Sequence, residues 1–296
     1  MGDETSAGSD GSPKETVGPY GIWSMALRSE DPARRGELIE AAAELEELGF
    51  GAVWLGGSST VRHAAPLIEA TSHLTVATGI QSIWEYEAAE TAARFVELDQ
   101  ARPGRFLLGL GVSHAKLTDQ YHRPYSAMVA YLDELDAAGV PAGRRVLAAL
   151  GPKMLKLSRD RAAGSHPYLV TPEHTARARE ILGDAPLLAP ETKVVLDTDP
   201  DSARAKARGY LAFYLGLPNY TNSLRQFGFT DDDFADGGSD RLVDALFAWG
   251  DDDRIRERIE AFHTAGADHV ALQVVHDQPR DLLPRAAWRR LAELLR

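Results

Sequence analysis

The stretch "RFLLGLGVSH", Arg105 to His114, decides the fold, because its Gly109-Leu110-Gly111 can be read in two ways. It can open a glycine loop that cradles a dinucleotide, or it can end a buried strand. A dinucleotide fingerprint requires G-x-G-x-x-G between a strand and a helix, with an acidic residue about 20 positions on. Here His114 stands at the third glycine position, and the irregular "AKLTDQYHRPYS" follows with no clean helix start. The segment also comes after three strand–helix units rather than at the beginning. Gly109 and Gly111 fit better as small residues where a strand end must admit a bulky, flat ligand.

On both sides of this stretch, extended and helical patterns alternate. Short apolar strands are expected at Tyr20–Ser24, Gly51–Gly57, Leu74–Trp84, Arg105–Val112, Arg145–Leu150, His166–Val170, Thr192–Asp197 and Asp268–Val275. Helical sequence follows each one. Asp31-Pro32, Thr171-Pro172 and Asp199-Pro200 mark helix starts, since a capping oxygen followed by proline satisfies and presets the first turn. Eight strand–helix units are the count and order of a TIM (β/α)8 barrel. The strands are continuous apolar runs, as parallel strands buried on both faces should be. One interval, about 215–250, is too long for a simple crossover and reads as a helical insertion between the seventh and eighth strands.

The balance of 32 Lys and Arg against 44 Asp and Glu leaves a net charge of −12, which argues against nucleic acid and anionic membranes as partners. With no cysteine, disulfides, thiolate metal sites and cysteine nucleophiles are excluded. No apolar run approaches the roughly 20 residues of a membrane helix. Residues 1–17 read as a disordered acidic tail without a signal-peptide core, and 18–296 as one domain. The expected compartment is the cytoplasm.

In a TIM barrel the C-terminal strand ends carry the active site. They present Trp23 and Ser24, Gly56 and Gly57, Gln81 and Ser82, Ser113 and His114, Gly151 to Lys153, His166 and Tyr168, and Gln273 and His276. Paired carboxylates for glycoside hydrolysis are missing from these ends. There is no HExxH and no GxSxG, which disfavours a metallohydrolase and a serine hydrolase, although His166, His276 and Asp277 keep a metal site open.

The segments "ATGIQSIW", "ARPGRFLLGLGVSH", "GSHPYLVTPEHTARAREILG" and "AGADHVALQVV", in this order, resemble the bacterial luciferase-like superfamily. The resemblance is greatest to its actinobacterial oxidoreductases expected to use the deazaflavin coenzyme F420. It runs from about Tyr20 to the C-terminus. It implies a barrel that holds a deazaflavin or flavin ring in its mouth and exchanges a hydride with a small organic substrate. In the flavin members it implies oxygen activation instead. It also implies a non-proline cis peptide after the third strand, at Gly79-Ile80, backing the ring, and a possible homodimer.

The residues suggest roles in that setting. Gln81 and Ser82 would meet the polar edge of the ring, Trp23 and Trp84 would flank it, and Gly56, Gly57 and Gly111 would give it clearance. Ser113 and His114 would position substrate or move a proton, since histidine titrates near neutral pH. The cofactor phosphate would sit at Gly151-Pro152-Lys153, or at Thr171-Pro172-Glu173 where Glu173 opposes an anion. Plainer roles compete: a strand-end cap for Ser82, barrel filling for the tryptophans and a solvated loop for His114. Lys153 could lie on an exposed helix face, and His166 and Tyr168 could be core and rim residues.

One departure stands out. Deazaflavin members of the family place an acidic residue and a histidine at the end of the second strand, where this chain has Gly56-Gly57. The leading expectation is an F420-dependent oxidoreductase, with an FMN monooxygenase as the alternative. The departure also motivates a non-catalytic cofactor-binding protein, and a Rossmann-type nicotinamide dehydrogenase ranks behind all three.

Overall fold

The computed structural model describes residues 11–116, 118–279 and 281–296. Its strands are β1 (Tyr20–Ser24), β2 (Ala52–Gly56), β3 (Thr75–Gly79), β4 (Gln81–Ser82), β5 (Phe106–Gly111), β6 (Arg145–Leu147), β7 (Gly164–Ser165), β8 (Leu187–Leu188), β9 (Glu191–Val195), β10 (Phe247–Trp249) and β11 (Val270–Val274). Every pairing is parallel.

The wall runs β11-β1-β2-β3-β5-β6-β7-β8. It closes because β8 and β9 are one pass of the chain, interrupted only at Ala189-Pro190. The Ala189 and Glu191 amides donate to the carbonyls of Ser165 and Pro167 on one side, while the Ala271 amide donates to Pro190 on the other. The result is a TIM barrel of eight passes, with helices outside. Two strands go beyond the expected count. β4 continues β3 past Gly79-Ile80, whose peptide bond is cis, and β10 pairs with the C-terminal half of β9.

Local chemistry explains the helix ends. The Asp31 carboxylate accepts from the Ala33 amide and starts a short 3-10 turn, Pro32–Arg34, that leads into the helix Arg35–Glu47. That helix buries Leu38, Ala41, Ala42 and Leu45 against the barrel. Asp199 caps Pro200–Leu215 in the same way. The interval 215–250 holds the helices Pro218–Arg225, Asp231–Phe234 and Asp240–Leu246, followed by β10.

Two sequence expectations change. The sixth wall strand is Gly164–Ser165, not His166–Val170; the chain leaves the wall there, and Leu169 adopts a left-handed φ of 56°. The tail is shorter than expected. Residues 1–10 lie outside the described residues, but Pro13–Thr16 form a helical turn and Val17 is fully buried. Lys14 pairs with Asp268 at 2.9 Å and donates to the Asp184 carbonyl, fastening this segment across the N-terminal end of the barrel.

The lower interior is an aromatic column. The Trp54 indole stacks on His166 with centroids 4.0 Å apart and donates to Nε2 of His269 at 2.9 Å. An indole N–H only donates, so His269 Nε2 accepts and its Nδ1–H donates to the Gly18 carbonyl at 2.8 Å. Burial lowers His269 to about 4 and His166 to about 3. Both are therefore neutral in the folded barrel, whereas an unfolded chain titrates them near 6.5. As pH falls below about 6.5, only the unfolded state gains these protons, so stability drops until the folded values are passed. Denaturant unfolding at stepped pH is expected to show a steady loss between about 6.5 and 4, with His269 contributing on the order of 3 kcal/mol. His269→Gln should be less stable at pH 8 but show a shallower slope across that window.

Candidate active site at the C-terminal mouth of the barrel

The strand ends open into a cavity of about 1520 Å³. Of the residues singled out from sequence, Trp23, Ser24, Gly57, Gly79, Ile80, Ser82, Gly111, Ser113, His114, Gly151, Pro152, Lys153, His166, Tyr168, Gln273, His276 and Asp277 line it. Its floor is apolar and flat where the Gly79-Ile80 bulge meets Gly111. A Cβ on Gly111 would stand 2.6 Å from the end of the Ile80 side chain, so glycine lets this bulge seat. Trp23 packs beside it, its Nε1–H donating to the Gly79 carbonyl at 3.0 Å.

Four assignments are corrected. Gln81 is buried, with its amide donating to Thr91 and Tyr131 at 2.7 and 3.2 Å, so it braces the helix Ala88–Ala101 rather than the cavity. Gly56 faces the Trp23 ring, which occupies the space any side chain there would need. Gly109 serves its neighbouring strand: a Cβ would run into the Thr78 carbonyl, and the Thr78 hydroxyl bridges both the Gly109 amide and carbonyl at 2.8 Å. Thr171 is buried and caps its own helix, Pro172–Leu182, through the His174 amide. Trp84 also lies off the cavity wall, half-buried, with its indole donating to the Val112 carbonyl at 2.6 Å.

The two candidate phosphate sites are thereby separated. The helix Pro152–Arg161 starts without a side-chain cap, and the Lys153 and Met154 amides make no hydrogen bond among the described residues. Both residues face the cavity, and Lys153 adds an ammonium group. Among the described residues no three His, Cys, Asp or Glu side chains gather as metal ligands would.

The wall beside the floor is aromatic. Tyr168 lies 5.2 Å from Trp23, Tyr214 lies 5.5 Å from Tyr168, and Tyr220 lies 5.5 Å from Tyr214, all between ring centroids. His114 follows at 4.9 Å from Tyr220. Sequence reasoning missed Tyr210, Tyr214 and Tyr220. Their only signal is the i,i+4 spacing of Tyr210 and Tyr214 on one helix face. Beneath Tyr168 lies a buried ion pair, Glu191 and Lys193, at 2.6 Å, with the ammonium 4.0 Å from the Tyr168 ring centroid.

A family model described as luciferase-like monooxygenase matches residues 18–138. No curated protein matches the chain. Solved structures share the fold. An F420-dependent secondary alcohol dehydrogenase, in complex with an F420–acetone adduct, has a TM-score of 0.70 at 14% identity, covering 94% of this chain and 99% of that one. The coenzyme F420-dependent tetrahydromethanopterin reductase from Methanopyrus kandleri has a TM-score of 0.72 at 17% identity, covering 94% and 98%. The oxygenating constituent of 3,6-diketocamphane monooxygenase from Pseudomonas putida, in complex with FMN, has a TM-score of 0.65 at 15% identity, covering 94% and 96%.

The tyrosine hydroxyls form a closed set. Tyr168 donates to Gln273 Oε1 at 2.9 Å, and the Gln273 amide donates to the Tyr210 oxygen at 2.7 Å. The Tyr168 and Tyr210 oxygens are 2.5 Å apart, and the Tyr214 hydroxyl joins both at 3.1 and 3.0 Å. The set ties the helix Pro200–Leu215 to β11. Removing one hydroxyl strands several partners in a buried place, at roughly 1–3 kcal/mol. Tyr168→Phe is expected to lose about that much stability in denaturant unfolding, and Gln273→Leu to lose a similar amount. The double variant should lose far less than the sum.

Proposed function

We propose that this chain, a member of the luciferase-like superfamily, is an oxidoreductase that moves a hydride between coenzyme F420 and a small organic substrate. The observation that carries the reading is one cavity combining an apolar floor at Gly79, Ile80 and Gly111, an uncapped helix start beside Lys153, and a histidine at its wall. These residues fit a tricyclic ring with a phosphate-bearing tail. The ring would rest on the floor, and the phosphate would be held by the Lys153 and Met154 amides and the Lys153 ammonium. When bound, a deazaflavin supplies a carbon that accepts or returns a hydride.

The chain's own residues handle the proton. Burial lowers His114 below its ordinary value, so at neutral pH it is an uncharged imidazole. Its Nδ1 is buried with no hydrogen-bond partner. Neutral His114 can take the proton that leaves a substrate oxygen as the adjacent carbon gives up its hydride, and can return it in the reverse direction. Ser113, left-handed at φ 53°, directs the chain so that His114 follows on the cavity wall. The luciferase-like monooxygenase description and the FMN-bound neighbour support a second reading, an FMN monooxygenase on the same floor.

Fluorescence titration with F420 and with FMN tests the choice: tighter binding of F420 is expected, and tighter binding of FMN would overturn it. Lys153→Glu should weaken whichever cofactor binds by about tenfold or more, through charge reversal at the phosphate. For substrate oxidation, kcat/KM should be level at neutral pH and fall on acidification through a value below about 6.5, where His114 gains its proton. His114→Ala should lower kcat by about 10²–10⁴ and remove that limb.

A further inference from the structure

One neighbour of His114 stands apart from the hydrogen-bonded tyrosines of the cavity wall. Tyr168, Tyr210 and Tyr214 spend their hydroxyls on one another and on Gln273. Tyr220, only 7% exposed and on the cavity wall, has no hydrogen-bond partner for its hydroxyl among the described residues. Burial raises its hydroxyl well above the ordinary tyrosine value, so it stays a protonated donor. Its ring centroid is 4.9 Å from that of His114, whose Nδ1 is also unpartnered. A buried, unpartnered imidazole nitrogen is costly unless a ligand atom completes it, and the Tyr220 hydroxyl beside it is free to donate to that same ligand.

The surrounding wall limits what that ligand can be. Trp23, Tyr168, Tyr210, Phe213, Tyr214 and Tyr220 offer ring faces and edges and no charge. The cations nearest these rings are already matched, Lys193 sealed under Tyr168 against Glu191 and Lys206 bound by Asp197 at 2.6 Å, while Lys153 is the one assigned to the cofactor phosphate. A carboxylate on the substrate would lose its water against these rings without gaining a counter-charge. A flat apolar body is matched by the rings, and one neutral oxygen is matched by the pair.

Building on the oxidoreductase reading, we propose that Tyr220 and His114 together grip the single alcohol or ketone oxygen of an uncharged, flat, largely apolar substrate, making Tyr220 the residue that selects it. The Tyr220 O–H donates to that oxygen. The imidazole accepts the hydroxyl proton of the alcohol as its carbon loses hydride to oxidised F420, which leaves the ketone. The same proton returns when reduced F420 gives the hydride back.

Direct binding of four matched probes to the full-length protein, by titration calorimetry, tests this: 1-tetralol, 1-tetralone, tetralin and tetralin-1-carboxylate. The wild type should bind the alcohol and ketone about tenfold or more tighter than tetralin, and the carboxylate weakest. Tyr220→Phe should cost the two oxygenated probes about tenfold and leave tetralin unchanged, which also reports that the variant is folded. His114→Asn should likewise narrow the preference for the alcohol and ketone over tetralin. Equal binding of tetralin and 1-tetralone, no binding of any probe, a preference for the carboxylate, or a uniform loss in Tyr220→Phe would overturn the proposal. F420 binding, read separately from the coenzyme's own fluorescence, judges the oxidoreductase reading. Its failure would not alter the probe pattern.

Discussion

Trp54 sits where the constraints of the barrel meet. Closing eight parallel passes into a ring leaves an axis that side chains must fill, and this large indole fills its lower half. Its face is taken by His166 and its N–H by His269, whose other nitrogen reaches the Gly18 carbonyl at the bottom. That chain of contacts links β2, the segment after β7, the approach to β11 and the N-terminal plug. Above it the fill changes character. The Glu191–Lys193 pair forms a polar layer, capped by the Tyr168 ring, and the cavity begins on the other side of that ring. Tyr168 is thus both the lid of the core and the wall of the site.

How much of this was legible follows from the range of the interactions. β1 matches its expected limits, and β2 and β5 fall within a residue of theirs, because each is a compact apolar run whose ends are set by glycine or polar residues next to it in the chain. The cap at Asp199 is equally local. Gln81 and Thr171 misled because a polar residue near a strand end or helix start can serve either a ligand or its own scaffold. Only the position of partners such as Thr91, Tyr131 and His174 shows which.

Gly109 and Gly111 show the same limit in one short stretch. Both are missing a side chain for steric reasons, yet Gly109 yields to the Thr78 carbonyl of a neighbouring strand and Gly111 to the bulge side chain of Ile80. The tyrosine wall was invisible for a different reason. Tyr168 and Tyr210 are 42 residues apart, and Tyr168 and Gln273 are 105 apart. On their own helices Tyr210, Tyr214 and Tyr220 read as ordinary half-buried faces, and Tyr168, the one tyrosine of the set singled out from sequence, gave no hint of them. The N-terminal plug failed similarly, since Lys14 finds Asp268 only when the chain's two ends meet.

The blank end of the second strand then has a physical explanation. Trp23 swings its indole across β2 to reach the Gly79 carbonyl, and in doing so fills the volume over Gly56. Gly57 next to it turns with a φ of 72°, a conformation unsuited to a side chain, and faces the Arg28 guanidinium. Gly56 has no room for a side chain while Trp23 holds that hydrogen bond, and at Gly57 a side chain would be strained by the backbone and would meet Arg28. On the proposed oxidoreductase reading, proton transfer would draw on other residues of the rim. His114, beyond β5, has a buried Nδ1 without a partner among the described residues, as do His166 at Nε2 and His276 at Nδ1, and of the three it is His114 that lies beside Tyr220 on the helix Pro218–Arg225. Gly56, at least, is a direct consequence of where one tryptophan points.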